Sequence, residues 1–232
     1  MANKKLILFI VEGATDRISL EEIIDTLISD YEVRFHVIHG DITANCGNNP
    51  QNILKKINDQ INKFLGLHGF KKSDVKEIVH LVDTDGCFIN SESIEEARVE
   101  EINYEDNKMI VVNKDLIMER NTRKSANLNK MAHCSDINQI PYQVYYMSCN
   151  LEHVLHNVQN LNDGKKRAFA EKFSDQYYQC AKDFITFMSN SNFSVKGDYL
   201  ATWDYIEKSS HSLARNSNLH LFFKLLKLDK YS

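Results

Sequence analysis

The first half of the sequence alternates short apolar runs with segments of helical periodicity. Unbroken apolar runs at Leu6–Val11 and at residues 78–82 have the length of buried strands, and residues 33–39 are rich in β-forming side chains. Between them, residues 17–28 and 52–65 place apolar side chains three and four positions apart, as one face of a helix does. This β-α-β-α-β order predicts an α/β fold with a mostly parallel, Rossmann-like sheet flanked by helices.

The pattern loosens in the middle of the chain. Residues 109–112 and 143–147 resemble further strands, and residues 114–130 have the periodicity of a helix. Residues 91–101 contain five glutamates, which is typical of a solvent-exposed helix or loop. The sheet is therefore expected to gain strands after residue 100.

From residue 150 onward the sequence is helical in pattern. It predicts helices over residues 150–158, 165–189, 199–208 and 211–228. We therefore expect an α/β domain over residues 1–149 and an α-helical C-terminal region over residues 150–232 that packs on it.

Composition limits the partners and the compartment. The 232 residues carry a net charge of −4, which argues against coating nucleic acid through bulk positive charge but allows a nuclease with local contacts. Five scattered cysteines without a CxxC pair indicate reduced thiols. No apolar stretch approaches the roughly 20 residues of a membrane span, and a strand rather than a signal sequence follows the first residues. We expect a cytoplasmic protein that does not bind membranes.

Acidic residues stand where two of the predicted strands end. Glu12 comes directly after the first strand, and Asp83 and Asp85 follow the third. Because side chains alternate along an extended chain, Asp83 and Asp85 are expected on the same side. The carboxyl ends of parallel strands form the edge at which such sheets bind ligands, so the three carboxylates should converge. Hard oxygen ligands of this kind predict Mg²⁺ or Mn²⁺.

The same residues resemble a known family. Glu12-Gly13 after the first strand and Asp83-Thr84-Asp85-Gly86 after a later one resemble the Toprim domain of topoisomerases, primases, ribosomal-RNA maturases and OLD-family nucleases. The resemblance implies a Toprim-like fold and a carboxylate-held Mg²⁺ that activates phosphoryl transfer. It also implies that Glu12 is a general acid or base and that Asp83 and Asp85 bind the metal. A metal-dependent nuclease acting on DNA or RNA is the function that this implies.

A second resemblance involves the segment MSCNLEHVLH after the last predicted strand. It is similar to an element of small Toprim-like proteins related to RloB, which are associated with restriction and phage defence. In that comparison Glu152 is an additional metal or water ligand. The chain departs from the pattern because Leu151 replaces an aromatic residue and the expected proline is absent. A glutamate in the first turn of a helix is the alternative interpretation.

Three further residues are candidates with a structural alternative. Asp16 lies in the first helical turn after Glu12, where a carboxylate also suits the helix dipole. Lys124 and Arg215 belong to basic clusters that could hold a phosphate backbone or could simply face solvent. The chain has no GxxxxGK[ST] sequence, so any ATP-driven step would require a partner ATPase. The sequence also allows the protein to form a homodimer.

Two other functions fit part of the pattern. The DTDG sequence also resembles the first motif of haloacid dehalogenase-type phosphatases, in which Asp83 would be the nucleophile. About 80 residues precede it here, whereas that motif normally lies on the first strand. The third alternative is a non-catalytic Toprim-like module that binds nucleic acid or a partner protein.

Overall fold

A five-stranded, mostly parallel sheet forms the centre of the protein in a computed structural model, which describes residues 4–226. A second, smaller sheet has three strands. In chain order the strands are β1 (Leu6–Val11), β2 (Glu32–Val37), β3 (Val75–Asp83), β4 (Ile94–Glu96), β5 (Asn103–Tyr104), β6 (Met109–Val111), β7 (Asp136–Ile137) and β8 (Ile140–Met147). The large sheet has the order β2-β1-β3-β8-β7, with β7 antiparallel to β8 and the other pairs parallel. The small sheet has the order β4-β6-β5.

Helices cover both faces of the large sheet. They are α1 (Ala14–Leu27), α2 (Ile53–His68), α3 (Lys114–Ala132), α4 (Leu151–His156), α5 (Asp163–Tyr178), α6 (Ala181–Met188), α7 (Tyr199–Ile206) and α8 (His220–Leu225). Helices α1, α4, α5, α6 and α8 share one apolar core with the sheet. Helices α2, α3 and α7 share the core on the opposite face. Helices from beyond residue 150 thus contribute to both cores.

The interior strand β1 shows why an unbroken apolar run was needed. All six of its residues are buried. Phe9 and its alternate neighbours pack into one core, and Leu8 and its alternate neighbours pack into the other. A strand that is covered by helices on both faces has no solvent-facing position, so it cannot alternate apolar and polar residues.

The order of the strands places two strand ends together. From β1 the chain passes through α1 to β2 on one side, and then through α2 to β3 on the other side of β1. The carboxyl ends of β1 and β3 therefore meet where the direction of winding reverses. Ligands bind at this position in open parallel sheets.

The first half of the chain confirms the predicted β-α-β-α-β order and the mostly parallel sheet. The strand predicted at residues 109–112 is confirmed as β6, which lies in the small sheet. Two other predictions were wrong in part. Residues 91–101 include strand β4, which pairs with β6 because Ile94 and Met109 bury their side chains in a small separate core. The single helix predicted over residues 165–189 is divided into α5 and α6.

Residues 211–219 are not helical, contrary to prediction. This segment runs beside the end of β8, where Ser217 forms isolated bridges with Met147 and Ser194. The Ser148 amide also donates to Asn216 O at 2.8 Å. Hydrogen bonding to neighbouring chain segments replaces helical hydrogen bonding here. The end of the helix predicted over residues 211–228 lies outside the described residues.

Two observations concern the predicted compartment. None of the helices within residues 4–226 combines the length and the apolar character needed to cross a bilayer. The five cysteines are all free thiols. The location of the protein stays a prediction from the sequence.

Candidate functional site

The turn after β3 carries Asp83 and Asp85 and bends sharply. Strand β3 ends at Asp83, and Asp85 then adopts a left-handed backbone with a φ of 47°, followed by Gly86 with a φ of 65°. A Cβ at Gly86 would lie 2.5 Å from the Leu213 side chain, so a larger residue would clash there. Because the backbone at Asp85 is not extended, the alternation of side chains along β3 does not continue to Asp85. The expectation that Asp83 and Asp85 lie on the same side therefore does not apply. The two carboxylates accordingly have different partners.

Hydrogen bonds from distant segments fix this turn. The Thr84 amide donates to Met147 O at 3.1 Å, and the Asp85 amide donates to Cys149 O at 2.8 Å. The buried Thr84 hydroxyl donates to Ser212 O at 2.9 Å and accepts from the Cys149 amide at 2.9 Å. The turn is thus held both by the chain after β8 and by the irregular segment near residue 212.

Lys124 lies between two aspartates at this edge of the sheet. Its Nζ is 2.7 Å from Asp41 Oδ2 and 2.7 Å from Asp85 Oδ2, and its side chain is 0% exposed. Burial alone would lower the pKa of Lys124, but Asp85 and Asp41 raise it well above its usual value. The lysine therefore stays charged. Asp41, Asp85 and Lys124 are called the paired half of the site below.

Asp41 was not predicted as a site residue, although it follows β2 much as Glu12 follows β1. Its Oδ1 accepts hydrogen bonds from the Thr43 amide at 2.7 Å and the Ala44 amide at 3.1 Å. Burial alone would raise the pKa of Asp41, but the charge of Lys124 and these hydrogen bonds lower it. Its place after a strand adjacent to β1 was the sequence signal that could have identified it.

Asp85 has further partners beyond the lysine. Arg120 Nη2 donates to the Asp85 backbone oxygen at 2.8 Å, and the Tyr104 hydroxyl lies 3.5 Å from Asp85 Oδ1. Burial alone would lower the pKa of Arg120, but Asp85 raises it. Arg120 therefore brings a second cation to the paired half.

The remaining acidic residues make up what is called the unpaired half: Glu12, Asp16, Asp83 and Glu152. Glu12 Oε1 is buried and has no hydrogen-bond partner among the described residues. Burial raises the pKa of Glu12 well above its usual value, the charge of Lys124 opposes this, and neighbouring carboxylates add to it. An unpartnered buried carboxylate oxygen is costly unless something else binds it.

Asp83 and Asp16 lie in the same crowded environment. Burial raises the pKa of Asp83 well above its usual value, and the surrounding carboxylates raise it further, namely those of Glu12, Asp16, Asp85 and Glu152. Burial raises the pKa of Asp16 to about 6, although its Oδ2 accepts a hydrogen bond from the Gly13 amide at 2.9 Å. Asp16 therefore caps α1 and also adds charge to the site.

Glu152 joins this half from the start of α4. The Asn150 side chain caps the helix by accepting from the His153 amide at 2.8 Å, which fixes the first turn. Glu152 is only 6% exposed. Its closest cation among the described residues is Lys166, whose Nζ lies 3.9 Å from Glu152 Oε1 and 2.9 Å from Asp163 Oδ1. This contact is too long for a strong hydrogen bond.

These carboxylates suit a divalent metal in their chemistry but are not arranged around one. Within residues 4–226, no group of three or more His, Cys, Asp or Glu side chains is placed to hold a metal ion. A cation would nevertheless relieve both the unpartnered Glu12 Oε1 and the crowding around Asp83. With rotation of their side chains, Glu12, Asp83 and Glu152 could hold Mg²⁺ or Mn²⁺ through oxygen ligands.

The two basic residues predicted to bind nucleic acid are engaged within the fold. Lys124 has no exposed surface and contacts the two aspartates described above. Arg215 Nη2 donates to Val154 O at 2.7 Å, and its guanidinium carbon lies 4.5 Å from the centre of the Phe193 ring. These contacts assign structural roles to both residues, and the predicted phosphate contacts stay a prediction.

Comparisons of the chain with protein-family models, with curated proteins and with solved structures found no match. The resemblance to Toprim proteins therefore stays a prediction from the sequence. The parallel sheet, its reversal point and the carboxylates gathered there are the observations from which a function can be inferred.

Proposed function

We propose that the protein is a metal-dependent phosphodiesterase with a Toprim-like fold that cleaves DNA or RNA. The supporting observation is that Glu12 and Asp83 meet at the reversal point of a parallel sheet with raised pKa values, and that no cation among the described residues forms an ion pair with either one. Buried carboxylates in such a state are costly to keep and are common in functional sites. A divalent ion would offset that cost.

In this proposal some of the carboxylates bind the metal ion and another transfers a proton. Mg²⁺ or Mn²⁺, when bound, supplies positive charge to the phosphodiester and activates a water molecule for attack. Asp83 and Glu152 hold the ion by their oxygens. The raised pKa of Glu12 favours the protonated form of its carboxyl group, which suits a general acid or base. Asp85 fixes the position of Lys124 beside it.

Cleavage assays with matched variants test this proposal. Purified protein with Mn²⁺ or Mg²⁺ should cut plasmid DNA or single-stranded RNA, and Glu12→Gln and Asp83→Asn should each lower the rate at least about 100-fold. Glu22→Gln is the control, because Glu22 is exposed on α1. Unchanged cleavage in both site variants, with circular dichroism showing intact folding, would contradict the mechanism.

A phosphatase is the second candidate, because Asp83 ends the middle strand of the sheet. A carboxylate nucleophile must be ionised, as a metal ligand must be, so the raised pKa of Asp83 calls for a bound cation in either function. A phosphoaspartate trapped at Asp83, together with activity on phosphate monoesters and none on nucleic acid, would favour the phosphatase over the nuclease.

A non-catalytic role is the third candidate. The protein would then bind nucleic acid or a partner ATPase without cleaving a phosphodiester, within the phage-defence or restriction role that the sequence resemblance implies. Binding of labelled DNA or RNA that is unaffected by Mn²⁺ and leaves the nucleic acid intact would favour this role. A homodimer is compatible with all three candidates.

A further inference from the structure

Lys124 lies between two carboxylates, a position that a second metal ion takes in two-metal sites. Its Nζ binds one oxygen of Asp41 and one of Asp85 at 2.7 Å each, and no part of its side chain reaches solvent. Two-metal phosphodiesterases place two divalent ions roughly 3.5 to 4 Å apart among shared carboxylates. Here a fixed ammonium already occupies one group of carboxylates.

The charges in the two halves agree with this interpretation. The paired half has two carboxylates, the ammonium of Lys124 and the nearby guanidinium of Arg120. A divalent ion in addition would lie close to two cations. The unpaired half has four carboxylates. Among the described residues it has one ion-pair contact, with Lys166, which is about one-third exposed and 3.9 Å from Glu152, and the charge of Lys124 acts on Glu12 from the neighbouring half. In the described part of the chain, Glu12 Oε1 has no hydrogen-bond partner.

We propose that Lys124 takes the place of a second divalent ion, so that the site binds a single Mg²⁺ or Mn²⁺ in its unpaired half. This inference rests on the proposed metal dependence. It changes the predicted role of Asp85, which then positions Lys124 and is not a metal ligand. A built-in ammonium does not dissociate, so only one ion per chain has to be recruited from solution.

The number of bound ions tests the inference independently of catalysis. Equilibrium dialysis of the full chain against Mn²⁺, with the metal quantified by atomic absorption, should give one ion per chain. Asp83→Asn should weaken Mn²⁺ binding at least about tenfold because a ligand is lost. Asp41→Asn, the same substitution in the paired half, should weaken binding less than about threefold, because it removes a neighbouring charge but no ligand.

A variant without the lysine tests directly whether its ammonium group takes the place of a metal ion. Lys124→Gln removes the fixed charge and leaves Asp41 and Asp85 free to bind, so this variant should bind two Mn²⁺ ions per chain. One ion in Lys124→Gln would overturn the inference. If this variant does not fold, Asp83→Asn and Asp41→Asn are compared instead, and a greater loss of Mn²⁺ binding in Asp41→Asn would also overturn the inference.

The outcomes for the unaltered protein separate the two proposals. One bound ion with cleavage supports both. Two bound ions with cleavage overturn the single-ion inference and leave the phosphodiesterase proposal in place. One bound ion without cleavage of DNA or RNA supports the inference and contradicts the proposed function. No bound ion overturns both.

Discussion

The paired and unpaired halves of the site contain the same kind of residue in different electrostatic states. In the paired half, a buried lysine lowers the pKa of Asp41 and stays charged itself. In the unpaired half, burial and mutual repulsion raise the pKa values of Glu12 and Asp83. The difference teaches that a buried group of carboxylates can be stabilised by a cationic side chain of the protein itself, or can lack such a side chain and require a bound cation. Here the lysine-bound carboxylates and the carboxylates with raised pKa values lie at the same edge of one sheet.

Removing the lysine should produce the largest effect on stability. Lys124→Met leaves two largely buried aspartates without their cation, which should lower the free energy of unfolding by about 3–5 kcal/mol. Urea denaturation measures this, with Lys130→Met as the control because Lys130 is exposed on the same helix. Equal losses in the two variants would show that the paired half is not stabilised by Lys124.

The turn that separates the halves should be the next most sensitive feature. Gly86→Ala introduces a Cβ 2.5 Å from the Leu213 side chain at a positive φ, and should cost about 2–3 kcal/mol. Gly66→Ala is the matched control, because Gly66 lies in α2 with open space around it and should gain about 0.5–1 kcal/mol. Thermal unfolding of both variants makes the comparison, and a loss at Gly66 or none at Gly86 would contradict it.

In the unpaired half, removing a charged side chain should raise the free energy of unfolding instead of lowering it. Because the folded pKa of Asp83 is above the value of about 3.9 in an unfolded chain, stability falls as the pH rises from about 4 through the folded pKa. Without added metal, Asp83→Asn should therefore raise the free energy of unfolding by about 1–2 kcal/mol at pH 7.5, where the carboxylate is destabilising. The gain should disappear near pH 4.

Urea denaturation at both pH values checks this prediction. The exposed Asp25→Asn on α1 serves as the control and should change little. A loss of stability in Asp83→Asn at pH 7.5 would mean that the carboxylate has a partner. Mn²⁺ should stabilise the unaltered protein at pH 7.5 more than it stabilises the Asp83→Asn variant.

The smallest effect is expected from the second lysine. Lys166 is partly exposed and 3.9 Å from Glu152, so Lys166→Met should change the free energy of unfolding by less than about 1 kcal/mol. Chemical denaturation beside Lys124→Met compares the two lysines directly. A loss as large as that of Lys124→Met would remove the distinction between the halves.

The parts of the fold that follow from local pattern could be predicted from the sequence. The buried run of β1, the periodicity of α1 and α2, and the acidic ends of β1 and β3 all appear in short windows. The meeting of Glu12 and Asp83 follows from them, because three successive parallel strands leave few arrangements. Glu12 and Asp83 were identified in this way, whereas Glu152 was identified only through the resemblance of its segment to small Toprim-like proteins.

The partners of Asp85 could not be predicted in the same way. Lys124 appeared to belong to a basic, solvent-exposed cluster, and only its spacing of four and seven residues from Leu128 and Met131 indicates a buried face. Its bonds to Asp41 and Asp85 join residues 83 and 39 positions away. No local pattern reports such contacts. The irregular course of residues 211–219 likewise depends on hydrogen bonds to distant segments.

The hydrogen bonds that Ser212 accepts have a consequence for the order of events during synthesis. The backbone oxygen of Ser212 accepts from both Thr84 and Cys149, and these bonds help to set the shape of the segment that carries Asp83. A ribosome adds Ser212 long after it has completed the β-α-β-α-β unit. That unit can therefore fold before the turn that carries its carboxylates has all of its hydrogen bonds, and unfinished chains lack an assembled site.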